Sequence, residues 1–203
     1  MRNLLKSFCP NISNLISTQA IVTKAILKMA IIVAIAIPFT AASAHGPTRQ
    51  KVTKKIEINA SPAKVWAIIK NFNSLNWHPA VEKTTGKGGN AIDATRQITL
   101  KGGATIDEIL YKYSEEKMSY SYRITKVDVK VLPINNYSAH LTVKAVEGSD
   151  GKKSTVTWKG AFYRGYMNND PPENLNDAAA VKAVTGVYES GLAGLKKQIE
   201  SGS

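Results

Sequence analysis

The 203-residue sequence predicts an α+β domain: a curved antiparallel sheet of about six to seven strands wrapped around one long C-terminal helix, with two short helices after the first strand. Three observations lead there. From Pro172 to Glu200, apolar residues fall at Val181, Val184, Tyr188, Leu192, Leu195 and Ile199, steps of three or four that make one face of an α-helix. From Ala80 to Tyr163 the apolar period changes to two, with glycine- and asparagine-rich turns between the runs. Short connections between neighbouring strands require antiparallel pairing, and a helix with a single apolar stripe needs a broad apolar surface to lie on.

The first 44 residues read as a separate signal. Lys24 and Lys28 precede an apolar run from Met29 to Phe39, and Ala42-Ser43-Ala44 follows. A basic flank, a short apolar core and an Ala-x-Ala end describe a secretory signal peptide cleaved near Ala44. The run falls short of the roughly 20 residues that span a bilayer, so no stable span is expected after cleavage. The expected compartment is the periplasm or the exterior. Residues 45–203 form the single expected domain. The only cysteine, Cys9, lies in the cleaved part, which excludes disulfides and thiolate chemistry from the mature chain. Loss of Arg2, Lys6, Lys24 and Lys28 lowers the net charge from +12 to +8. Charge of that sign suits an acidic protein partner or an anionic surface. It shows no basic stripe interleaved with aromatics of the kind that binds nucleic acid.

The elements follow in order. Lys51 to Asn59 alternates Val52, Ile56 and Ile58 with polar residues, a first strand. Ser61-Pro62 opens a short helix, serine as N-cap and proline at the first helical position. Asn71 to Pro79 is read as a second, irregular helical turn that stops at Trp77-His78-Pro79. Ala80 to Lys83 is a short strand, and Thr84 to Asn90 a glycine-rich turn. Ala94–Leu100 and Ala104–Tyr113 pair across Lys101-Gly102-Gly103. Lys117–Val127, Tyr137–Val146 and Ser154–Tyr163 complete the sheet, with a longer loop from Asp128 to Asn136. Pro171-Pro172 and Asn176-Asp177 start the last helix.

Several short motifs in this order carry a resemblance. They are Ala60-Ser61-Pro62-Ala63-Lys64-Val65-Trp66, Phe72-Asn73 with Trp77-His78-Pro79-Ala80-Val81, and Arg96-Gln97-Ile98-Thr99-Leu100. Leu132-Pro133 with Asn136-Tyr137, Trp158 with Phe162, and Gly191-Leu192 follow. The chain resembles the START/birch-pollen-allergen superfamily, in the branch of polyketide cyclases, dehydrases and lipid-transport proteins, and within it periplasmic MxaD-type proteins. The resemblance implies a helix-grip fold and a cavity for an apolar or amphipathic small molecule. It also implies a role beside a periplasmic dehydrogenase or cytochrome. A fold alone does not assign a function.

Candidate site residues follow from chemistry. If Lys101-Gly102-Gly103 is a three-residue hairpin loop, Arg96 stands opposite Glu108, on the face of Ile98 and Ile106, whereas a two-residue turn would change the register. The pair is either a polar anchor for a ligand or a structural ion pair. His78 could serve as an acid or base, with Glu108, if the protein is a cyclase or dehydratase. Alternatively Trp77 packs and Pro79 merely ends a turn. Tyr122, Tyr137, Trp158, Phe162 and Tyr188 belong to an aromatic core that could also line a pocket, and Tyr122 and Tyr137 are the favoured ones. Gly186, Gly191 and Gly194 interrupt the helix stripe; they either let the backbone approach the sheet closely or leave room for a ligand, with a local kink at Gly191 as the alternative. The three histidines show no metal-binding spacing, and no cofactor fingerprint is present. Three readings remain open at this point: a binding protein, an enzyme, or an interaction module with a filled interior.

Overall fold

The computed structural model describes residues 46–202. The expected signal peptide, with Cys9, and His45, the first residue of the expected domain, lie outside the described residues. Seven strands form one antiparallel sheet: β1 (Gln50–Ile58), β2 (Val81–Lys87), β3 (Thr95–Leu100), β4 (Thr105–Ser114), β5 (Ser119–Val127), β6 (Ile134–Ala145) and β7 (Ser154–Arg164). Their order is β1-β7-β6-β5-β4-β3-β2. Helix α1 (Pro62–Ile69) follows β1, and α2 (Asp177–Ser201) ends the described chain. This is the α+β helix-grip architecture.

Local chemistry explains the helix starts. Ser61 accepts the Lys64 N–H at 3.3 Å, and Asn176 accepts the Ala179 N–H at 2.9 Å. A 3-10 turn, Glu173–Leu175, precedes α2 and shortens it relative to the expected start at Pro172. The stripe of α2 is buried at Val184, Tyr188, Leu192, Leu195 and Ile199, whereas Val181 is only half-buried. Tyr188 stacks on Trp158 of β7, with ring centroids 4.4 Å apart and 12° between planes.

Three expectations need correction. The second short helix is absent; Asn71 to Ala80 instead forms isolated turns, closed by Ser74 N–H to Asn71 O, His78 N–H to Leu75 O and Val81 N–H to His78 O. The Asn71 side chain accepts the Asn73 N–H at 3.0 Å, a local bond that competes with helix formation. Strand β2 runs on through Gly86 to Lys87, where a glycine turn was expected. Gly86 pairs with Arg96 within the strand, and the position requires glycine because a Cβ there would meet the Asn73 side chain at 2.5 Å and Thr95 O at 2.8 Å. The turn itself lies at Gly88 and Gly89, both at positive φ. Finally, β6 begins at Ile134. A register shift between Asn135 and Ser138, with Asn136 at φ 47°, breaks the alternation that would have revealed its first residues.

Candidate functional site: a cavity between sheet and helix

A cavity of about 120 Å3 lies between the sheet and the N-terminal half of α2. Ile98 and Leu100 of β3, Ile106 of β4 and Ile124 of β5 form its apolar floor. Val184 and Val187 of α2 face them, and Val131 and Leu132 close one side from the β5–β6 loop. The polar groups in the wall are few: Glu108, Tyr122, Tyr137, Tyr188 and His78, with the Trp158 ring beside them. Strand alternation marks Ile98, Ile106 and Ile124 as inward-facing. The loop residues Val131 and Leu132 carry no period; Leu132 was marked only by the Leu132-Pro133 motif of the family resemblance, and nothing in the sequence marked Val131.

The hairpin register is as expected, with Arg96 opposite Glu108 and Ile98 opposite Ile106. Arg96 donates through Nε to Glu108 Oε2 at 2.6 Å and through Nη1 to Phe72 O at 2.9 Å. Its guanidinium also lies 4.3 Å from the Phe72 ring centroid and 5.1 Å from that of Tyr122. Arg96 itself stays behind the cavity wall, where it ties the Phe72 turn to the sheet; Glu108 alone of the pair reaches the cavity. Burial pushes the Glu108 carboxyl above its usual 4.5, and the adjacent guanidinium opposes that push. Burial likewise works against the Arg96 charge, but Glu108 outweighs it and the guanidinium holds its proton more firmly than usual. The two remain an ion pair, because a lone guanidinium at this depth would be far more costly than a paired one.

His78 is held at both ring nitrogens. Its Nε2 lies 3.0 Å from Val187 O of α2, and its Nδ1 accepts the Ala80 N–H at 3.2 Å. These bonds assign the proton to Nε2, donating to the carbonyl. Burial lowers the His78 pKa below 6.5, and the bond to Val187 only partly offsets this. The neutral ring therefore has no free lone pair with which to take a proton from a substrate, and its role is to tie the Trp77–Ala80 turn to α2.

The tyrosines form a relay of hydroxyls. Trp158 Nε1 donates to the Tyr122 hydroxyl at 3.0 Å, and the Tyr137 and Tyr188 hydroxyls lie 2.6 Å apart. Indole N–H can only donate, so the Tyr122 proton must point elsewhere. Burial, followed by the Glu108 charge, keeps Tyr122 protonated well above its usual pKa; burial does the same for Tyr137 and Tyr188. All three phenols are neutral hydrogen-bond donors at neutral pH.

The other expected site residues lie behind this wall. Trp77 packs edge-on against Trp158, with centroids 5.6 Å apart. Phe162 stacks on Tyr137 from the side of β7. Gly191 admits His78 and not a ligand: a Cβ there would sit 2.5 Å from His78 Cδ2 and 2.9 Å from Trp158 Cζ3. Among the described residues, no cluster of His, Cys, Asp or Glu could hold a metal ion, and no helix is long and apolar enough to cross a membrane.

Comparison with known proteins agrees with this architecture. The family described as "Polyketide cyclase / dehydrase and lipid transport" matches residues 49–200. An uncharacterised Bacillus thuringiensis protein is 30% identical, with a TM-score of 0.62 over 74% of this chain and 98% of its own. XoxI from Bacillus cereus is 30% identical, with a TM-score of 0.61 over 73% of this chain and 94% of its own. Norcoclaurine synthase from Thalictrum flavum, solved with dopamine and hydroxybenzaldehyde, shares the fold at 13% identity, with a TM-score of 0.55 over 77% of this chain and 90% of its own. No curated protein matches the chain.

Proposed function

We propose that this chain, which belongs to the polyketide cyclase / dehydrase and lipid-transport family, binds one small apolar molecule of about the size of a single ring. The carrying observation is the cavity of about 120 Å3, walled by aliphatic side chains around a few convergent polar groups. Its volume is close to the ~150 Å3 of an apolar cavity that takes up benzene. It is smaller than the several hundred Å3 expected for a lipid or a polycyclic ligand. The phenol protons favour a carbonyl or hydroxyl oxygen on the ligand, and the free side of the Glu108 carboxylate favours a hydroxyl proton.

The neutral, doubly bonded His78 argues for binding over acid–base catalysis. An enzyme built on this site would depend on Glu108, the one ionisable carboxyl in the wall. A setting outside the cytoplasm, and service to a periplasmic dehydrogenase or cytochrome, belong to the same reading. They rest on the signal-like residues 24–44 and on the MxaD resemblance.

Tryptophan fluorescence tests the cavity, because Trp158 stands in its wall. Titration with phenol and cyclohexanone should give saturable changes that weaken about tenfold in Tyr122→Phe, through loss of its hydrogen bond to the ligand. A linear response in both proteins would reject the binding reading. Turnover of a bound carbonyl compound that disappears in Glu108→Gln would move the protein to the enzyme class.

A further inference from the structure

The outer face of the sheet, turned away from α2, holds a second depression, which shares Ile124 and Tyr137 with the cavity lining. On that face Arg123 of β5 pairs in register with Ser138 of β6, and Ser138 pairs with Ala161 of β7, which pairs with Lys51 of β1. Arg49, just ahead of β1, donates through Nη2 to Ser138 Oγ at 3.2 Å. Arg49 thus contacts Ser138 directly, and Arg123 is the in-register neighbour of that serine on the adjacent strand, so both line one depression. Each is laid on a tyrosine: Arg49 is 5.6 Å from the Tyr163 ring centroid, and Arg123 is 5.2 Å from that of Tyr111. The depression between them has a volume of about 450 Å3 and no carboxylate in its lining. Neither arginine has an ion pair among the described residues. Asn136, in the left-handed region at φ 47° within the register shift of β6, adds an amide to the same depression.

We infer that Arg49, Arg123, Ser138 and Asn136 form a binding site for a phosphate-type oxyanion on the outer face of the sheet. The chemistry favours a tetrahedral oxyanion over a carboxylate. One guanidinium fork satisfies both oxygens of a carboxylate, whereas a phosphate offers enough acceptors for two forks at once. Ser138 Oγ accepts from Arg49, so its own proton is free to donate to the anion. Stacking on Tyr163 and Tyr111 fixes the planes of the two forks before binding, which lowers the ordering cost. Lys51, and Lys159 opposite His140 in the next row, add positive potential that favours an approaching anion. The phosphate could be free in solution or the headgroup of an anionic lipid, and the two sources are separable.

Backbone amide spectra recorded during titration with inorganic phosphate, at constant ionic strength in chloride, test the free form. Expected are saturable shifts at Asn136, Ser138 and Arg123, weakened about tenfold in each of Arg49→Gln and Arg123→Gln. Arg49→Lys keeps the charge and loses the fork, so it should weaken binding nearly as much. Vesicles of phosphatidylcholine containing phosphatidic acid form the second arm. Binding to vesicles alone, lost in the same two variants, would assign the phosphate to a lipid. Unsaturable shifts spread over the surface lysines, or binding by Arg49→Lys as tight as by the unmodified protein, would overturn the site. So would phosphate or vesicle binding that survives both glutamine substitutions. Arg49, Arg123, Ser138 and Asn136 line the depression and not the cavity, so these outcomes are separable from the binding reading.

Discussion

Gly186 and Gly191 are on one helix and have opposite surroundings. A Cβ at Gly186 would meet nothing within 4 Å, while one at Gly191 would press on His78 and Trp158. The intrinsic cost of glycine in a helix interior, about 1 kcal/mol relative to alanine, is the same at both. What differs is what the missing Cβ permits. At Gly191 it lets the imidazole reach Val187 O, a bond that a larger residue would prevent. Gly186→Ala should therefore stabilise the protein by about 0.5–1 kcal/mol, and Gly191→Ala should destabilise it by about 1–3 kcal/mol through overpacking. Urea denaturation of the pair decides this: equal shifts in midpoint would show that both glycines are mere breaks in helix propensity. Arg96 shows the same logic in charge. Its guanidinium is sealed beneath the sheet yet holds a carboxylate, a backbone carbonyl and two aromatic faces. Position in the sequence predicted the carboxylate, because hairpin register depends on turn length. It could not predict Phe72 O, which belongs to a turn with no period to read.

At the scale of elements, the contact of the Trp77–Ala80 turn with α2 depends on an uncharged His78. Its pKa lies below 6.5 in the folded protein, chiefly through burial. An unfolded chain takes up this proton near 6.5, before the folded one does. Stability should thus be fully present above pH 6.5 and fall as pH drops from there towards the lowered folded value. His140 adds to the same slope, since burial and then Lys159 and Lys112 lower its pKa as well. Thermal melts of His78→Gln between pH 7.5 and 5.5 should show a shallower loss than the unmodified protein, and His78→Gln with His140→Gln a shallower one still. An unchanged slope in the double variant would place the titration elsewhere. The elements were legible in the sequence wherever one period ran unbroken, as in α2 and β3 to β5. They were misread at Asn71–Pro79, where asparagine side chains replace helix bonds, and at the start of β6, where a register shift reverses the alternation. His78 and Tyr137 could be named from their chemistry, but Leu75 and Val131, which also line the cavity, lie in stretches with no period to read, so the site was less readable than the fold around it.

For the molecule as a whole, an empty space between sheet and helix is a choice that stability alone would not favour. Interiors pack at the density of organic crystals, and void volume lowers stability by roughly 24 cal/mol per Å3. Val184 is fully buried on α2 and faces the space from the helix side. Replacing it with phenylalanine would put a ring where the ligand is expected, using volume that is now unfilled. Val184→Phe should therefore keep the fold and hold or raise the melting temperature, while phenol and cyclohexanone binding by fluorescence falls at least tenfold. Stability gained against function lost is the usual sign of a cavity maintained for use. If Val184→Phe were instead destabilised by about 1–3 kcal/mol, as in an overpacked core, the interior would already be full. The helix would then be a structural lid, and the binding reading would lose its central observation.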